Sequence, residues 1–181
     1  AASISKTEFS FFAMQMVDKG LLNLDIPLYT YLENPDIAHD ARYKKITARM
    51  ALSHTTGFPN WRYLTENGYD PAGKLRIDFE PGTQYQYSGE GYQYLAQVMA
   101  HLLNTDLNGL QTIIKDALFK PLGMGESSFV RNDYLEKNRV MGHIQGRTDS
   151  GYSANSKDPD FTAAASLQTT ALNFGNFLSA L

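Results

Sequence analysis

Four stretches of this 181-residue chain repeat one spacing of apolar side chains, and that spacing confines the architecture to packed helices. Phe9, Phe12, Ala13, Met16 and Val17 stand at i, i+3, i+4, i+7 and i+8, one face of a 3.6-residue period, and Lys19-Gly20 supplies a stop. Leu95, Val98, Met99, Leu102 and Leu103 repeat the spacing in a helix that starts near Glu90. Leu110, Ile113, Ile114, Ala117 and Leu118 repeat it after Asn108 as N-cap, with Pro121 beyond the end. Phe174, Phe177, Leu178 and Leu181 form the fourth helix, capped by Thr170, and a shorter one is expected from Thr47 to Ser53. Strand patterning is sparse: Leu75, Ile77 and Phe79 alternate, and Tyr85 and Tyr87 do so briefly. Residues 131–162 are rich in Gly, Ser, Asn and Asp and read as a long loop. The expectation is one domain over residues 1–181, mainly α, with at most short β-strands.

Such helices must be held by packing, because the chain has no cysteine. That rules out disulfides, thiolate zinc sites and a cysteine nucleophile within this stretch, and leaves hydroxyls as candidate nucleophiles. The net charge of −3 carries no basic excess to attract nucleic acid or an anionic membrane. The apolar runs are far shorter than a membrane span.

Ser3-Ile4-Ser5-Lys6 places a hydroxyl and an amine three residues apart, on one face of a helix. A serine hydroxyl needs a neighbour that takes its proton, and a lysine can do so when burial or nearby cations favour its neutral form. A helix N-terminus adds free N–H groups that favour developing negative charge. Read by itself, the same stretch also fits a serine cap followed by a solvated lysine. Tyr87 stands just before the break Ser88-Gly89-Glu90-Gly91, where a phenol can relay a proton with such a pair. Tyr85, Tyr87, Tyr92 and Tyr94 equally fit a packed aromatic cluster. His54, between a helix end and a Gly/Pro turn, reads as a residue that ties a loop by hydrogen bonds. His39, His101 and His143 have no metal-ligand spacing, and Glu90 fits a helix start.

Taken jointly and in order, five stretches resemble the serine β-lactamase and penicillin-binding-protein superfamily, whose signature includes Ser-x-x-Lys. They are SISKTEFSFFAMQMVDKGLLNLDIPLYTYL, MALSHTTGFPNW, FEPGTQYQYSGEGYQYLAQVM, LFKPLGMGESSF and AAASLQTTALNFGNFLSAL. Within that superfamily they are most similar to the branch of class C β-lactamases, D-aminopeptidases and β-lactamase-like esterases. The resemblance implies the helical part of an α/β β-lactamase/transpeptidase-like fold. It implies Ser3 as the acylated nucleophile, Lys6 as its proton-accepting partner, Tyr87 as the second base, and the Ser3 N–H as an oxyanion donor. It implies a small-molecule acyl substrate (a β-lactam, an ester or a D-amino-acid peptide), no metal or cofactor, no nucleic-acid or membrane partner, and an extracytoplasmic bacterial setting.

Three departures accompany the resemblance. The family's Tyr-x-Asn becomes Tyr87-Ser88-Gly89, which removes an amide side chain that contacts substrate. No Lys-Thr-Gly or His-x-Gly box is found. The family's flanking sheet strands are not expected within residues 1–181. The stripe Phe9, Phe12, Ala13, Met16 and Val17 then needs another cover, since exposing such side chains costs about 1.5–3 kcal/mol each. Either the helices repack to supply it, or self-association or a complementing chain does. The alternative to an active serine hydrolase is a non-catalytic scaffold of the same superfamily.

Overall fold

The computed structural model describes residues 1–65, 67–149 and 161–181. A 3₁₀ turn over Ala2–Ile4 leads into α1 (Ser5–Asp18). Gly20, at a φ of 71°, ends α1 by turning the N–H groups of Gly20 and Leu21 back onto the carbonyls of Val17 and Met16. Three short 3₁₀ turns follow, at Leu28–Thr30, Pro35–Ile37 and Ala41–Lys45. Then comes α2 (Ala48–Leu52), where Thr47 Oγ1 accepts the Met50 N–H. A hairpin pairs β1 (Leu64–Thr65) with β2 (Gly68–Tyr69). Next is α3 (Gly89–Leu102), capped by Ser88, whose Oγ accepts the Gly91 N–H at 2.9 Å. α4 (Leu110–Ile114) runs into a π-helical turn over Lys115–Phe119, and α5 (Asp133–Asn138) follows. A second hairpin pairs β3 (Gly142–Ile144) with β4 (Arg147–Asp149), and α6 (Ala171–Leu178) starts from a Thr170 cap. The fold is therefore helical with few strands, as the periodicity predicts. No helix among the described residues is long and apolar enough to cross a membrane.

Of the alternatives for the apolar stripe of α1, the structure shows repacking: the stripe is covered from within the chain. Phe9, Phe12, Ala13 and Met16 are buried, and Val17 is half-buried. The Phe9 ring meets Tyr92 of α3 and Phe161, each at 6.2 Å between centroids. On the other side of α1, Phe11 meets Phe177 of α6 edge-on at 5.5 Å. The covering groups stand more than 80 positions away along the chain, so no local pattern announces them. The apolar side chains that do face solvent are others, among them Ile4, Met14, Leu172 and Leu178.

Other expectations are corrected. Leu75–Phe79 forms no strand. Its alternation is one of burial, with Leu75 and Ile77 inward and Arg76 and Asp78 outward, along an extended run without a ladder partner. Tyr85 to Tyr87 likewise pairs with no strand. The polar stretch 131–162 contains α5 and the β3–β4 hairpin, while residues 150–160 lie outside the described ones. The hairpin closes through Gln145-Gly146, both at positive φ, the geometry of a tight two-residue turn. Asn108 does not cap α4; its Oδ1 accepts the Phe161 N–H at 2.9 Å and so anchors the segment that covers Phe9.

One buried group in α1 sets a pH dependence. Glu8 is fully buried, and neither carboxylate oxygen has a hydrogen-bond partner among the described residues. Burial raises its pKa from 4.5 to about 7, with the Ala1 ammonium pulling partly the other way. Between those two values the folded chain holds a proton that the unfolded chain has released. Stability therefore falls as pH rises across that window and levels off above it. Urea unfolding of Glu8→Gln should match the parent near about pH 4 and exceed it by about 1–3 kcal/mol near about pH 8. A parent whose stability rises across the window would contradict this assignment.

Candidate active site

Ser3 stands exposed in the 3₁₀ turn ahead of α1, where the first N–H groups have no intrahelical acceptor. The preceding Ala2 adopts a φ of 49°, a left-handed conformation that disfavours a Cβ and turns the chain sharply into the helix. The second hydroxyl of the motif is a brace. Ser5 Oγ donates to the Ala2 carbonyl at 2.5 Å and accepts the Leu167 N–H at 3.0 Å.

Lys6 is buried one turn beyond Ser3. Its Nζ donates to the Ala164 carbonyl at 2.9 Å and reaches Ser3 Oγ at 3.4 Å. The segment that presents Ala164 is fixed on both sides. From α3, Gln93 accepts the Ala163 N–H at 3.2 Å and donates to the Phe161 carbonyl at 3.3 Å, while Ser5 holds Leu167. The same Nζ lies 4.6 Å from the centre of the Tyr87 ring and 5.7 Å from that of Tyr92.

The structure thus brings together the three residues singled out in the sequence. Burial works against ionisation of the Tyr87 phenol, but the nearby Lys6 and Ser3 donors, together with the Lys6 charge, outweigh it and lower the pKa below its ordinary 10.0. Tyr92 behaves oppositely: burial raises its pKa, and its hydroxyl is shared with Ser10 Oγ at 3.0 Å. The surroundings of two neighbouring phenols thus drive their pKa values in opposite directions.

Residues read without a catalytic role surround these three. His54 Nδ1 accepts the Ser88 N–H at 3.0 Å, the loop-tying role that its position suggested. Its ring lies 4.4 Å from Tyr87 and 5.2 Å from Tyr92 between centroids. Glu90 does more than favour the start of α3. It accepts from the Arg62 backbone N–H at 2.9 Å and from the Arg62 guanidinium, which also pairs with Asp36. At Gly89 a Cβ would stand 2.7 Å from the Asn60 carbonyl oxygen, and the Gly89 N–H donates to Asn60 Oδ1. A side chain at position 89 would therefore require residue 60 to move away from the start of α3. A cavity of about 950 Å³ opens beside Ala1 and Ala2, lined by Arg131, Tyr134, Arg139 and the 165–170 segment. Ser3, Lys6 and Tyr87 do not line it.

The β-lactamase family model matches residues 1–181. Penicillin-binding protein 4 of Amycolatopsis lactamdurans is 26% identical over 152 residues, 80% of this chain and 39% of that protein. A class C β-lactamase in complex with cefoxitin superposes with a TM-score of 0.76 at 20% identity, over 99% of this chain and 49% of that one. A simvastatin synthase from Aspergillus terreus superposes with a TM-score of 0.77 at 20% identity, over 99% of this chain and 49% of that one. The chain thus spans about half the length of these structures, or less in the case of the curated relative, and its helical fold is part of the β-lactamase fold.

Carbon-13 titration of the tyrosine Cζ atoms checks the electrostatics. Tyr87 should titrate below 10.0, with Tyr92 and Tyr94, both raised by burial, above it. Lys6→Met should move Tyr87 upward and leave Tyr94 in place. A Tyr87 titration indifferent to Lys6 would remove the claimed coupling.

Proposed function

The chain belongs to the β-lactamase family, and from that premise we propose that it carries the nucleophile and proton-transfer groups of a serine hydrolase that works through an acyl-enzyme. The carrying observation is the convergence of an exposed hydroxyl, a buried amine and a phenol favoured toward its anion: Ser3, Lys6 and Tyr87. Ser3 Oγ attacks the acyl carbonyl, and its proton passes to the Lys6–Tyr87 pair. The Ser3 N–H, free of any intrahelical acceptor, stabilises the oxygen that becomes negative. Tyr87 then returns the proton to the leaving nitrogen or oxygen as its bond to the acyl carbon breaks. A water that gives its proton to Tyr87 hydrolyses the ester, and Ser3 recovers a proton. The substrate classes that fit are β-lactams, esters and D-amino-acid peptides, all of which present a carbonyl with a protonatable leaving atom.

Gly89 favours a second reading, a binding scaffold without turnover, because it offers no amide to a substrate carbonyl at that position. Labelling separates the two. Fluorescent penicillin or a p-nitrophenyl ester should leave an acyl mass on Ser3 that is absent in Ser3→Ala. Tyr87→Phe should slow acylation by about 10²–10⁴-fold, the usual worth of a positioned acid–base group. A chain folded by circular dichroism that takes no adduct from either reagent would be the scaffold.

A further inference from the structure

His54 holds both residues that flank Tyr87. Its backbone carbonyl accepts the Gln86 N–H at 2.9 Å, and its Nδ1 accepts the Ser88 N–H at 3.0 Å. Its ring lies against the Tyr87 ring at 4.4 Å with 31° between planes, backed by Tyr92 and edged by Tyr85 at 5.9 Å. The backbone at His54 has a φ of 59°, a conformation that few side chains besides His, Asn and Asp adopt readily. An imidazole nitrogen that accepts an N–H carries a lone pair, so the neutral ring has its proton on Nε2.

We propose that His54, as the Nε2–H imidazole, is a positioning residue for Tyr87, and that protonating it releases the phenol from Ser3 and Lys6. This rests on the reading of Tyr87 as the proton carrier. A proton on Nδ1 would face the Ser88 N–H donor to donor, and the bond that holds the backbone N–H of the residue after Tyr87 would be lost. The groups that face the imidazole are Lys6 from α1, Tyr85 and Tyr87 from the segment before α3, and Tyr92 from α3. Burial lowers the His54 pKa below 6.5, and the Lys6 charge lowers it further, against a smaller opposing effect of the Ser88 bond. The neutral, positioning form therefore persists through neutral pH, and the device acts only on the acid side. The Ser88 hydrogen bond and the ring contact both come from the one imidazole, so a single protonation reaches both, while the His54 carbonyl bond to Gln86 and the Ser88 Oγ bond to the Pro59 carbonyl at 3.0 Å stay in place.

Imidazole nitrogen-15 spectra and Tyr87 Cζ titrations test this without requiring turnover. The wild-type chain should show the Nε2–H tautomer at neutral pH, with the Ser88 amide and Tyr87 Cζ shifts moving together as His54 protonates. His54→Phe keeps a ring but loses the acceptor. It should move the Tyr87 titration toward 10.0 and slow Ser3 acylation by about 10–100-fold, as expected for a misplaced group. His54→Asn tolerates the backbone, sets Oδ1 where Nδ1 stood and does not titrate. It should recover most of the rate lost in His54→Phe and carry activity further into acid. An Nδ1–H tautomer in the wild type, or a folded His54→Phe with unchanged Tyr87 titration, overturns the proposal. If His54→Phe does not fold, the wild-type tautomer and the linked shifts decide. A wild type that takes no acyl adduct while Tyr87 still answers to His54 leaves the positioning role standing and refutes the hydrolase reading instead.

Discussion

A lysine withdrawn from water must find acceptors for its ammonium, because an unpaired buried charge is among the costliest features a fold can contain. Lys6 meets this constraint with the Ala164 carbonyl and Ser3 Oγ, and its charge lies against the Tyr87 ring. Those contacts join three distant parts of the chain: the start of α1, the approach to α3 and the segment before α6. Much of what surrounds the site can be understood as holding those parts in place. Gln93 and Ser5 clamp the stretch that carries Ala164, and Ser88 and Glu90 secure the start of α3 on which Tyr87 depends.

The chemistry follows from the differences that this arrangement imposes on like groups. Tyr87 and Tyr92 are five residues apart, yet one is drawn toward its anion by Lys6 and Ser3 and the other is kept neutral by burial. Ser3 and Ser5 are two apart, yet one is exposed at the end of a strained turn and the other is a buried brace. Identical functional groups acquire separate duties from their surroundings, and a local motif cannot express that.

Helix positions were legible because the spacing that buries a helix face is local, and the caps Thr47, Ser88 and Thr170 act within one turn. Strand reading failed at Leu75 to Phe79 because alternation reports burial, and burial does not require a ladder partner. The hairpin closed by Gln145-Gly146 went unread because Gln is a weaker turn signal than Asn or Asp. Which residues cover α1 has no local signal, because Tyr92 and Phe161 lie far along the chain. The Ala164 carbonyl is a backbone atom and leaves no mark on residue identity. His54 stood in plain sight, but its hold on both neighbours of Tyr87 exists only after folding.

Composition and short spacings suffice for a helical chain without thiol chemistry, a hydroxyl and an amine one turn apart, and an ordered set of stretches resembling one superfamily. Such properties reside in composition and in spacings of a few residues, which chain geometry alone converts into faces and turns. Long-range packing alone sets the Tyr87 ring against the amine that also reaches the hydroxyl, covers the α1 stripe from within, and brings residue 60 up against Gly89. Each of these depends on atoms brought together across scores of residues, where the balance of burial and hydrogen bonding, rather than local preference, sets the outcome.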